Sequence, residues 1–172
     1  MLNKIEFKRR SPMFKKMTFA MLILASFNLF AARAPLNDKV KTNVAEVLNA
    51  NEELHAAFFE YNNDSVQKAA MNVAKKIMAI KDKEISKLLK VSHDKLMVMA
   101  KSEDEKANKE AFYVVSLGLA NIIRKYDVGG KWNVYSCPMV KKSWVQDSAK
   151  NDNVRNPYAP EMPGCGSKNT SF

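Results

Sequence analysis

Four sulfur-bearing residues near the end of the chain have types and spacing that can do chemistry. Cys137-Pro138-Met139 and Met162-Pro163-Gly164-Cys165 set two thiols and two thioethers in a frame punctuated by Pro and Gly. Pro fixes φ and favours turns, whereas Gly lets backbone approach closely. Soft sulfur donors select copper(I) and other thiophilic ions over hard cations. If residues 137–139 are extended, Cys137 and Met139 point the same way, because strand side chains alternate with period two. Met162 and Cys165 then close the set from the far end of the loop. His93 is the fifth candidate ligand, since imidazole is a common metal ligand. Its place between Leu89 and Leu96 also suits a hydrogen-bonded core residue.

The same residues support a second reading. A Cys137–Cys165 disulfide would pin the tail and stabilise the fold by about 2 to 4 kcal/mol in an oxidising compartment. Met139 and Met162 would then be packing residues. A thiol nucleophile at Cys137 with His93 as its base has no local signature to support it. His55, beside Leu54, is expected to be half-exposed.

The elements that must position these residues are mostly helical. Val40, Val44, Val47, Leu48, Leu54, Phe58 and Tyr61 recur at three- and four-residue steps, which predicts a first helix running to Tyr61. Val66 to Ile80, Ile85 to Met99 and Ala111 to Tyr126 repeat that spacing, and Asn62-Asn63-Asp64-Ser65 ends the first helix and caps the second. Ser102 with Glu105 reads as a capping box for the fourth helix, and Gly129-Gly130 as its stop. The expected fold is therefore all-α, an antiparallel four-helix bundle over residues 35–128. Residues 129–172 form an irregular Cys/Pro/Gly-rich tail packed on it. Trp132, Tyr135, Trp144 and Tyr158 give that tail apolar surface for docking, and Lys131 to Ser136 suits one short strand.

Twenty-eight basic residues against 18 acidic ones give a net charge of +10 over 172 residues. Their distribution matters more than their sum. Lys4, Lys8, Arg9, Arg10, Lys15 and Lys16 precede the uncharged run Met17 to Ala32, followed by the small-x-small triplet Ala32-Arg33-Ala34. That layout is a secretory signal peptide, residues 1–34, with an apolar run short of the roughly 20 residues of a membrane span. Pro35 makes a cut after Ala34 unfavourable. Residues 1–34 take seven basic and one acidic residue with them, which leaves a net of +4 over 138 residues. The remaining charges alternate in sign, as in KDKEISK, which argues for solvated helix faces and against a nucleic-acid partner. No stable membrane span is expected after signal cleavage.

Glycine-rich phosphate loops, dinucleotide fingerprints, HExxH and paired CxxC motifs are all missing from the sequence. The protein is accordingly expected to bind and not to catalyse. The tail does carry a likeness. Val134-Tyr135-Ser136-Cys137-Pro138-Met139, Trp144, Asn156-Pro157-Tyr158, and Met162 followed by Cys165-Gly166 resemble a bacterial periplasmic family, a domain of unknown function. That family is found alone and fused to membrane-fusion adaptors of heavy-metal efflux pumps. Phe112 to Leu117 is similar to its aromatic-x-x-x-Ser-Leu segment. The resemblance covers roughly residues 40 to 166, with Met-Pro-Gly-Cys-Gly in place of the more usual Met-Leu-Thr-Cys-Gly. It implies a periplasmic role near copper or other heavy-metal handling, and together with the clustered tail sulfurs the expected role is a copper(I) carrier, buffer or sensor, with an efflux adaptor or other envelope protein as partner.

Overall fold

The computed structural model describes residues 33–172; the leader expected over residues 1–34 lies outside the described residues except for its last two. Four helices follow a two-residue strand β1 (Ala34–Pro35): α1 (Asp38–Ala56), α2 (Asn63–Ala79), α3 (Lys83–Met99) and α4 (Glu105–Lys125). Each starts where a short polar side chain satisfies free backbone N–H groups. Asn37 accepts from Val40, Asn62 from Ser65, Asp82 from Glu84 and Ile85, and Asp104 from Ala107. Asp38, Asp64, Glu84 and Glu105 add negative charge in the first turns, where the helix dipole favours it. The expected capping box is displaced: Asp104 caps α4, while Ser102 accepts from the Asp104 N–H. Among the described residues no helix is long and apolar enough to cross a membrane.

The first helix stops at Ala56, five residues short of the expected Tyr61. Backbone N–H groups of Phe58 and Phe59 donate three residues back to His55 and Ala56, which tightens the chain out of the α-helix. This turn swings Phe58 into the core, where it stacks on Phe112 with ring centroids 4.8 Å apart. Helices then pack in sequence order, α1 on α2, α2 on α3 and α3 on α4.

Helices α3 and α4 pack closely at Gly118, where an added Cβ would stand 2.1 Å from Ser92 Oγ. Gly118→Ala is expected to cost about 1 to 2 kcal/mol by overpacking this contact. Ser92→Ala in the same chain should recover most of the loss, because Ser92 Cβ would be 3.4 Å from the new methyl group. Urea unfolding of the two single variants and the double variant checks this. Equal stability of the Gly118→Ala protein and its parent would show that α3 and α4 can part there.

The all-α expectation is overturned beyond α4. The tail forms β2 (Tyr126–Asp127), β3 (Trp132–Cys137), β4 (Lys142–Asp147) and β5 (Ser167–Lys168), so the fold is mixed α and β. Strands β1 and β2 pair in parallel, and a separate antiparallel sheet has the order β4-β3-β5. Gly129 and Gly130, with φ of 71° and 70°, do not end α4; they turn the chain from β2 into β3. Strands β3 and β4 form a hairpin with Tyr135 opposite Trp144 and Val134 opposite Val145. Aromatic and β-branched pairs of this kind are what hold such a ladder together. Helix α4 packs against both strands, and one continuous core runs from Val44, Leu48 and Phe112 to Val134, Tyr135 and Trp144.

Side chains take two backbone groups on the outer edge of β4. The Asp147 N–H donates to the Glu52 carboxylate at 3.2 Å, and the Tyr158 hydroxyl donates to the Ser143 carbonyl at 3.3 Å. Burial raises the Glu52 carboxyl above its ordinary range.

Candidate functional site

Cys137 is the last residue of β3, and its sulfur is bonded to that of Cys165, with Cα atoms 5.7 Å apart. The bridge joins two turns. One is the hairpin loop 138–141, which closes through Lys141 at φ 54° and carries Met139 at its tip, 68% exposed. The other is the turn Met162 to Cys165, closed by the Cys165 N–H donating to the Met162 carbonyl at 2.9 Å. Met162 is 41% exposed, while Cys137 is buried at 1%. Four of the five candidate residues, Cys137, Met139, Met162 and Cys165, therefore share one corner of the molecule.

The residues beneath that corner explain its shape. Asn156 donates its backbone N–H to the Pro163 carbonyl and its side-chain amide to the Cys165 carbonyl, while its side-chain oxygen accepts from Tyr158 N–H. One buried amide thus folds the Cys165 loop back on itself. Gly166 follows at φ 140°, where a Cβ would lie 2.8 Å from the Ser136 carbonyl and 2.9 Å from the Trp144 ring. Trp144 stacks on Tyr135 with centroids 6.0 Å apart and meets the Tyr158 ring edge-on. Tyr158 also packs against Phe112, and its hydroxyl lies 3.1 Å from Ser116 Oγ. Burial pushes that phenol far above its ordinary range, so it stays protonated and serves as a hydrogen-bond donor. Lys142, opposite Cys137 on the hairpin, pairs with Glu110 at 2.7 Å and lies over the Tyr113 ring.

His93 does not join this corner. It lines a separate cavity of about 230 Å³ with Ile77, Met78, Ile80, Ser86 and Lys90, between α2 and α3. Its Nδ1 lies 3.3 Å from the Asp94 carboxylate, and its Nε2 has no partner. Among the described residues no group of three or more His, Cys, Asp or Glu side chains is placed to hold a metal ion. No cysteine among them is free, so a Cys137 nucleophile would first require reduction.

His55 departs from expectation in the other direction. It is 3% exposed, and its Nε2 lies 2.8 Å from the Arg155 carbonyl. Burial lowers its pKa to about 4, so the ring is neutral and Nε2–H is the donor. The Arg155 guanidinium in turn lies 4.5 Å over the Phe59 ring. Gln146 holds the same segment, donating to the Asn151 and Asn153 carbonyls and accepting from the Arg155 N–H. His55 and Gln146 are thus the two clamps that fix the path from β4 to Asn156.

Comparisons with protein-family models, with curated proteins and with solved structures find no match for this chain.

Proposed function

We propose that this chain is an exported, periplasmic domain without catalytic activity, whose disulfide-locked tail is a rigid surface for an envelope partner. An adaptor of a heavy-metal efflux pump is the partner that the tail motif implies. The observation that carries the reading is the corner itself, where Cys137–Cys165 ties two turns together and Met139 and Met162 project above buried supports. Flexible, polarisable methionines adapt to varied apolar partners. Turns that are already pinned give up little conformational freedom on binding. Disulfides persist in oxidising compartments such as the periplasm, to which the layout of residues 1–34 is addressed. The test is intact mass of protein isolated from the periplasm, alkylated with and without reductant. Two added alkyl groups are expected only after reduction; two without it would overturn the reading.

The flanking thioethers favour a second reading. Once reduced, Cys137 and Cys165 are two thiols within bridging distance of each other, accompanied by Met139 and Met162, a donor set suited to copper(I) as cargo. Titration of the reduced protein with copper(I) against a competing chelator should then show stoichiometric binding. Binding that persists in a Cys137→Ser, Cys165→Ser double variant would sink it.

A further inference from the structure

Arg33 and Ala34 are the first residues the structure describes, and the fold already holds them. Ala34 and Pro35 pair in parallel with Tyr126 and Asp127. The Arg33 side chain is largely buried, with Nη2 3.5 Å from the Asp127 carboxylate and Nη1 donating to the Ile123 carbonyl at 3.4 Å. Its guanidinium also lies 4.0 Å over the Phe172 ring. Each contact answers a need of the partner. The Ile123 carbonyl is in the last turn of α4, where no intrahelical N–H is available to it. Asp127 also receives Lys41 Nζ and the Gly129 N–H, so it gathers β2, α1 and the turn into β3 around one carboxylate. Gly129 N–H, then Lys41, then Arg33 keep that carboxyl below the usual carboxylate range, hence ionised and able to pair with both cations.

The triplet Ala32-Arg33-Ala34 marks the Ala34–Pro35 bond for a signal-type peptidase. A cut there would discard Arg33 and half of β1, leaving the Ile123 carbonyl and the Asp127 carboxylate without their guanidinium. Pro35 works the same way, since it lacks an N–H and fixes φ on the leaving side of the bond. We infer that the Ala34–Pro35 bond is not a processing site, and that every exported form of the protein keeps Arg33, any cut falling before it. The setting rests on the export reading above; the content rests on the contacts of Arg33.

The full chain is to be produced in an exporting bacterial host and fractionated, and the first residue of the envelope-fraction protein read by intact mass and peptide mapping. Arg33 should be present in every envelope form. A mature chain beginning at Pro35 or later overturns the inference. In parallel, full-length Arg33→Ala is melted beside its parent, with an expected fall in Tm of about 3 °C or more. An unchanged Tm also overturns the inference. Protein found only in the cytoplasmic fraction with residues 1–32 attached counts against export alone, and the melting comparison then decides the role of Arg33.

Discussion

Replacing Cys137 and Cys165 together by serine is expected to lower the unfolding free energy by about 4 kcal/mol, because their bridge closes a 28-residue separation. Most of that loss comes from the unfolded chain, which regains the freedom the crosslink removes. Structure should also be lost unevenly. The segment 156–168 depends on the bridge, on Asn156 and on a two-residue strand, whereas helices α1 to α4 have their own caps and packing. Amide exchange of the double variant should therefore rise first in β5 and the Cys165 turn. Reducing the parent protein should reproduce the shift in urea midpoint. Midpoints that agree between parent and double variant under oxidising conditions would mean the bridge contributes nothing to the fold.

Acid is expected to produce the second large effect, through His55. The ring titrates near pH 6.5 when unfolded and near 4 when buried, so below pH 6.5 the unfolded chain binds a proton that the folded one refuses. Stability from this residue is complete above pH 6.5 and lost as the pH falls towards 4. The loss amounts to about 2 kcal/mol at pH 5 and about 3 kcal/mol at pH 4. Glu52 moves the other way, because burial raises its carboxyl and acid relieves that penalty. Asp127 and Asp152, held low by their partners, add to the acid loss only as the pH falls into the ordinary carboxylate range. His55→Gln isolates this contribution, since its amide can still donate to the Arg155 carbonyl without titrating. Denaturant unfolding from pH 7.5 to 4.5 should show a shallower slope for that variant. Parallel slopes for the two proteins would remove His55 as the cause.

The helices were legible because apolar residues at a period of 3.6 leave a clear stripe, and Asn or Asp stands before each. The end of α1 was not, because Phe58 and Tyr61 keep the helical spacing although the backbone leaves the helix after Ala56. Strand β3 was visible as a short aromatic run. Strand β4 was hidden, because Trp144, Val145, Gln146 and Asp147 are all buried, and burial on both faces erases the alternation that reveals a strand. The sulfur corner could be found from composition alone. Whether its cysteines join each other or a metal could not, since both chemistries ask for the same two residues at the same separation. His93 and His55 show the limit of reading single positions. Neighbouring Leu89 and Leu96 suggested that His93 faces inward, yet it is His55 that is buried, following Leu48 and Asn51 down the buried side of α1.

The side chains that occupy the rim of β4 also bear on how the protein would fail. An antiparallel sheet of three strands ends in rows of N–H and C=O groups that other chains can add to. Here Glu52 and Tyr158 take two such groups on β4. On the far rim, beyond the short β5, the Val134 N–H donates to the Thr170 hydroxyl and the Val134 carbonyl accepts from the Asn169 N–H. Loss of these covers would bare a strand with Trp144 and Val145 on it. Self-association through the opened edge is then the expected failure, ahead of simple unfolding.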